Sequence, residues 1–227
     1  MLINYLPVRC LLCNGSLIPE EHRRSMCAGC VKSLPHISNS CPICALPGPN
    51  EPCGRCIQTR PSFVATIAAL RYDWPVNALL HSFKGSADLR IGRALAQLLA
   101  EKISSAKRFI LPETIVVPVP LHDSRLRERG FNQSERIARI VAQHTGATID
   151  TSVLVRTQAT NDQKTLSRQA RQTNLIDAFS PQKAPPADIL LVDDIITTGA
   201  TAEAASGALM RAGSNRVAVC CIARTPL

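Results

Sequence analysis

Residues 188–201 read DILLVDDIITTGAT, an apolar run that meets two adjacent carboxylates and then a hydroxyl-rich turn with a glycine. A strand this apolar must bury both faces, which confines it to the interior of a parallel sheet covered by helices. Ligands of open α/β sheets bind outside the carboxyl ends of such strands, and Asp193 and Asp194 stand there. Ionised carboxylates are acceptors only, so a side-by-side pair suits the two adjacent hydroxyls of a ribose with a nearby Mg2+. Thr197, Thr198, Gly199, Ala200 and Thr201 then open a helix, whose free N–H groups and three hydroxyls can cradle a phosphate without any lysine. An ordinary capping turn needs one such residue, not two acids and three threonines. The segment therefore predicts a sugar-phosphate site.

The first sixty residues carry a separate signal. Eight of the ten cysteines fall in four C-x-x-C pairs: Cys10/Cys13, Cys27/Cys30, Cys41/Cys44 and Cys53/Cys56. Two intervening residues let both thiolates of a pair reach one ion, and four thiolates complete a tetrahedral Zn2+ site, so four pairs imply two zincs. With every position filled by protein, the zincs are expected to be structural. A disulfide framework would need a secreted chain, and Met1–Arg9 lacks a basic segment before its apolar stretch. A redox C-x-x-C would be one pair beside a βαβ unit. The spacing is compatible with sequential or interleaved sharing of metals. Sequential ribbons are preferred, because each gap then suits a small knuckle hairpin.

Composition narrows the setting. No stretch approaches the length of a membrane span, and free thiols favour a reducing compartment, so a cytoplasmic protein is expected. The formal charge is +9; eight zinc-bound thiolates and two Zn2+ would reduce it to about +5. A basic balance suits polyanions such as pyrophosphate or nucleic acid without choosing among them.

The punctuation divides the chain into a small Cys-rich module over residues 1–60 and an α/β domain over residues 61–227. After Pro61, strands are expected over Phe63–Tyr72, Thr114–Val119, Ser152–Val155, Asp188–Val192 and Arg216–Ala223. Helices are expected over Asp88–Ala106, with Leu89, Leu95, Leu98, Leu99 and Ile103 on one face, over Asn132–Gly146, capped by Asn132 with Glu135, and over Thr201–Ala212. Strands alternating with helices predict a parallel sheet with helices on both faces. Cys220 and Cys221 sit in the last apolar strand and read as core. Between the second strand and its helix, VVPVPLHDSRLRERGFNQSE leaves a strand's carboxyl end as a loop, so Arg125, Arg127 and Arg129 share the rim of the two acids and could hold a pyrophosphate. Residues 156–179 are too polar for core and too long for a turn, and read as a loop able to cover a reactive sugar cation.

The DDIITTGAT segment resembles the 5-phosphoribosyl 1-pyrophosphate (PRPP) motif of type I phosphoribosyltransferases. That resemblance implies that Asp193 and Asp194 hold the ribose hydroxyls, Thr197–Thr201 the 5′-phosphate, and Val119, Pro120 and some of Arg125, Arg127 and Arg129 the pyrophosphate. By the same analogy the polar loop supplies Lys164, Arg168 and Arg171, making Asp193, Asp194, Lys164 and Arg168 the expected catalytic set. The four C-x-x-C pairs, LRERGFNQ, QKTLSRQARQTN and ILLVDDIITTGAT, in that order, resemble the ComF family, also called GntX or ComFC, across essentially the whole chain. The implied architecture is an amidophosphoribosyltransferase-like domain behind an N-terminal double zinc ribbon. The implied role lies in DNA uptake for natural transformation, or in DNA utilisation. Its expected ligand is PRPP with Mg2+, and its expected partners are single-stranded DNA and DNA-uptake or recombination proteins. Five Phe, two Tyr and one Trp offer few stacking platforms, so contact with single strands would run mainly through the phosphate backbone. No segment is assignable to a base or amine acceptor. Two functions follow: a DNA-handling protein with a phosphoribosyl site, or an active transferase with an unidentified acceptor.

Overall fold

The computed structural model describes residues 8–85, 88–106, 109–157 and 178–226. Three short helices, α1 (Pro19–His22), α2 (Ala28–Ser33) and α3 (Gly54–Gln58), belong to the cysteine-rich segment. The α/β part runs β1 (Ala65–Arg71), α4 (Val76–Gly85), α5 (Leu89–Ser105), β2 (Ile115–Pro118), α6 (Asp123–Arg129), α7 (Gln133–Thr145), β3 (Thr148–Ile149), β4 (Leu154–Arg156), β5 (Phe179–Pro181), β6 (Asp188–Ile196), α8 (Ala200–Arg211) and β7 (Arg216–Arg224).

Five strands form one sheet in the order β1-β7-β6-β2-β3, parallel throughout. Its central strands are apolar because both of their faces are covered. Ala218, Cys220 and Ile222 of β7 join Leu190 and Val192 of β6 against α4, α5 and α7. Val217, Val219 and Cys221 join Ile189 and Leu191 against α8. Cys220 and Cys221 are fully buried on opposite faces, as expected of core thiols. The connection from β2 runs through α7 to β3, and that from β6 runs through α8 to β7, in opposite directions along the sheet. The β2/β6 boundary is thus a topological switch point, where the carboxyl ends of the two strands open a crevice.

Several expectations are corrected. The strand near residue 154 does not enter the parallel sheet: β4 pairs antiparallel with β5, because Val153, Leu154 and Phe179 bury against the α8 face. Arg125, Arg127 and Arg129 lie on a helix, α6, capped by His122 and closed by Gly130 in the left-handed region. Leu89 is exposed at the start of α5, outside the buried stripe of Leu95, Leu98, Leu99 and Ile103. Asn132 caps α7 by accepting from the Ser134 N–H, but Glu135 bonds Arg139 one turn on instead of closing a capping box. The helix α4 and the edge strand β3 had no counterpart in the sequence reading.

The cysteine-rich segment is welded onto the sheet. Residues 35–37 lie along the outer edge of β1, where Arg71 N–H donates to Pro35 O at 2.8 Å and Ile37 N–H to Ala69 O at 3.2 Å. Covering an edge strand removes a row of unpaired main-chain groups. Cys10, Leu17, Met26 and Leu34 share one apolar core with Leu70 and α5, while Ile37 and Ala45 share the other with Phe63 and α8.

Candidate functional site

The acid pair lies inside β6, past the point where β2 leaves the sheet. The last β2–β6 pair is Pro118 with Val192, and the next two residues of β6 are Asp193 and Asp194. The pair is buried, at 8 % and 9 % exposure. Asp193 Oδ1 accepts from the Ser134 hydroxyl at 3.0 Å and from the Asp194 N–H at 2.9 Å. Asp194 Oδ1 accepts from the Ile195 N–H at 2.8 Å, and its Oδ2 lies 2.5 Å from Lys84 Nζ. Burial, and next the charge of Asp194, raise the Asp193 carboxyl to about 7 against the lowering influence of those donors and of Lys84. Burial beside a like charge favours the neutral form of a carboxyl, so Asp193 is held near its titration point at neutral pH.

After the acids, the turn expected to take a phosphate is Thr197–Gly199. Gly199 caps α8 at φ 85° and ψ 1°, a left-handed conformation that disfavours any side chain. Thr197 and Thr198 are exposed, and Thr198 Oγ1 accepts from the Ala200 N–H at 3.3 Å. Thr201 falls within the first turn of α8. The first turn of this twelve-residue helix carries the positive end of its dipole.

The residues expected to meet a pyrophosphate lie between β2 and α7. Val119 is buried, and both its main-chain groups are engaged: its N–H donates to Val192 O at 2.9 Å and its carbonyl accepts from Asn132 Nδ2 at 3.1 Å. Pro120 has no N–H to offer. Arg125 and Arg129 are four apart on α6 and share a face, whereas Arg127 projects from the other side. Arg125 pairs with Glu128 at 3.4 Å on the surface. Arg129 lines a cavity of about 340 Å³ with Lys84, His81 and Glu128. Lys164, Arg168 and Arg171 lie outside the described residues.

Three site residues escaped the sequence reading. Lys84 ends α4, whose Val76, Leu79, Leu80 and Phe83 are buried at helical spacing, a periodicity that was available. Ser134 sits in the first turn of α7 beside the capping Asn132. Arg156, at the end of β4, stacks over the Phe179 ring at 5.3 Å. Its guanidinium pKa is lowered by burial, raised in part by the charge of Asp193, and lowered by Arg125, which sets it in the field of both.

The eight paired cysteines form two sequential groups, Cys10, Cys13, Cys27, Cys30 and Cys41, Cys44, Cys53, Cys56, with the four sulfurs of each within 4.8 Å of one another. A tetrahedral four-thiolate zinc has sulfurs about 3.8 Å apart; Cys13 and Cys27 Sγ are 3.8 Å apart, and Cys44 and Cys53 Sγ 3.6 Å. Main-chain N–H groups point at sulfurs, Cys27 N to Cys10 Sγ at 3.4 Å and Cys53 N to Cys41 Sγ at 3.3 Å. Although burial raises both thiols, hydrogen bonds from the Cys13, Cys27 and Leu12 main chain bring Cys10 down to about 6, and those from the Cys44, Cys53 and Ile43 main chain bring Cys41 down to about 7. Each group can hold a structural zinc.

No family model matches the chain. A full-length relative, the DNA utilization protein YhgH of Salmonella typhi, is 34% identical over 226 residues, covering 97% of this chain and 98% of the relative. The chain belongs to the ComF family. Two further relatives carry the family's competence names. Competence protein F of Haemophilus influenzae is 31% identical over 98% of this chain and 100% of its own length. Competence protein ComFC of Bacillus subtilis is 25% identical over 90% of this chain and 89% of its own length. This ComF chain aligns with them through both the cysteine-rich segment and the sheet. Among its described residues no helix is long and apolar enough to cross a membrane.

Proposed function

We propose that this ComF protein binds PRPP, or a closely related phosphoribosyl ligand, with Mg2+ at the β2/β6 crevice, and handles single-stranded DNA during DNA uptake or utilisation. The observation that carries the reading is the buried Asp193–Asp194 pair at the switch point, paired with Lys84 and followed in the chain by a glycine-capped turn. In this reading the acids accept the ribose hydroxyls and bind the cation, while the N–H groups of the turn take the 5′-phosphate. Lys84, Arg129 and Arg156 provide positive charge where a pyrophosphate would lie. Because Lys84 occupies Asp194 Oδ2, ligand and Mg2+ must share that oxygen with its ammonium or displace it. Two structural zincs fill the cysteine clusters. The DNA role is supported by the relatives' names, which refer to DNA utilisation and competence, and by the basic composition.

A second reading, transfer of phosphoribose to an acceptor, is favoured by the same acid pair. Two adjacent buried carboxylates are costly to retain in a mere scaffold. Calorimetry with Mg2+ and PRPP, then with a single-stranded oligonucleotide, tests the proposal on zinc-loaded protein. Wild type should bind both. The Asp193→Asn, Asp194→Asn double variant should lose PRPP and keep the oligonucleotide. PRPP binding that survives the double substitution rejects the site. Pyrophosphate release with any candidate acceptor would promote the second reading.

A further inference from the structure

The largest fully buried side chain in the protein is a cation, Arg224, 1 % exposed at the end of β7. Among the described residues its hydrogen-bond partners are all main-chain carbonyls, from the second cysteine cluster, from the end of β6 and the turn after it, and from its own neighbour Thr225. Nε donates to the carbonyl of Cys44, a residue of the second cysteine cluster, at 3.0 Å. Nη1 donates to Ile196 O at 3.2 Å, to Thr197 O, and to Thr225 O at 2.8 Å. One guanidinium thus spans from the metal knuckle to the first residue of the phosphate turn. A cavity of about 270 Å³ separates the two elsewhere, with Cys44, Cys53 and Cys56 on one wall and Thr198 and Gly199 on the other. Around this contact Ala45, Phe63 and Ile196 belong to one buried apolar cluster.

The arrangement is expensive unless it does something. A buried guanidinium costs several kcal/mol unless its donors are met and its charge is balanced. Carbonyls meet its Nε and Nη1 donors, and a four-thiolate zinc centre at the cluster would carry a net negative charge to balance the cation. Free protonated thiols would supply no such charge. A carbonyl that accepts from Arg224 is also held in place, so the turn's backbone is indexed to the knuckle's backbone.

We infer that the second cysteine cluster is part of the phosphate site: when loaded, it fixes Arg224, and Arg224 fixes the Thr197–Gly199 turn in its anion-binding geometry. Arg224 is a positioning residue, because its reach to the ligand runs through the turn. Among the described residues the first cluster has no such link; its segment docks elsewhere, through Arg24 to Glu101 at 2.7 Å. The inference rests on the turn binding a phosphate, as proposed above, but its mechanical half does not.

Two readouts separate these halves: amide hydrogen exchange at Thr198 and Gly199, and affinity for Mg–PRPP. Arg224→Lys keeps the charge, but its donors radiate from one nitrogen and cannot replace the separate Nε and Nη1 that reach the two segments. It should retain two zincs, accelerate exchange at both amides, and weaken PRPP by roughly tenfold or more. Cys53→Ser with Cys56→Ser should do the same with one zinc. Arg24→Ala, which loosens the other cluster's docking, should leave both readouts at wild-type values. Unchanged exchange in folded, two-zinc Arg224→Lys overturns the inference, and so does an equal effect from Arg24→Ala. Accelerated exchange in a protein whose wild type does not bind PRPP supports the link and rejects the ligand.

Discussion

At the scale of single residues, Asp193 is where structure converts most directly into measurable behaviour. Its carboxyl is raised to about 7 by burial, with Asp194 adding to the effect. Between the ordinary carboxylate range and about 7, the folded chain holds a proton that the unfolded chain has released. That excess stabilises the fold below the ordinary carboxylate pKa and is lost as the pH rises through about 7. The Asp193 contribution to stability should therefore fall from about pH 4 to pH 7 with a slope approaching about 1.4 kcal/mol per pH unit, then level off. Urea unfolding across this range checks it: the difference between Asp193→Asn and wild type should grow in the variant's favour with pH. A pH-independent difference would mean that Asp193 is already ionised in the fold. In the proposed phosphoribosyl site the ionised form would accept the hydroxyls and the cation, so ligand affinity should move the opposite way, rising with pH through the same window.

Among the elements, α4 shows how a residue distant from the acids positions them. The helix packs on α5 at Gly92, where an added Cβ would stand 2.3 Å from a ring carbon of Phe83. Phe83 in turn packs on Phe131 with ring centroids 5.5 Å apart, and its neighbour Lys84 carries the ion pair to Asp194. Gly92→Ala gains helix propensity but overpacks this seam, so a net loss of about 1–3 kcal/mol is expected, read as a lower Tm. It should also weaken PRPP binding through the displaced Lys84. Elements of this kind also mark what the sequence could reveal. The central strands and the long helices were legible because their apolar spacing has one physical solution: β6, β7, α5, α7 and α8 lie within a few residues of expectation. The acid pair and the cysteine groups were legible because their chemistry is local, confined to neighbouring positions. Ser134, Arg156 and Arg224 were not, because each acquires its role from a segment tens of residues away. No spacing rule carries that information. The arginines of α6 were read as a loop because a seven-residue helix capped by His122 has too little apolar face to announce itself.

For the molecule as a whole, the two apolar cores each contain residues from both sides of residue 60. The composition break at that point is thus not a break in packing. Removing zinc with a strong chelator should unfold the entire described structure in one calorimetric transition, at a Tm well below that of the loaded protein. Metal binding contributes folding free energy directly, and here the knuckles and the sheet share the surface that it buries. A two-step profile, with the sheet's transition unmoved, would show that the cysteine-rich segment folds on its own account.

The order of strands also has a consequence for how the protein is made. The first strand to be synthesised, β1, pairs within the sheet with the last, β7, over Ala65–Arg71 against Ala218–Arg224. Synthesis proceeds at about 5–20 residues per second, so the nascent β1 waits through most of the chain for its partner. Meanwhile its other edge can already be occupied by residues 35–37, and the eight clustered thiols that could hold zinc all precede β1. Zinc capture on the ribosome would shield an apolar strand from neighbouring nascent chains until its final partner arrives.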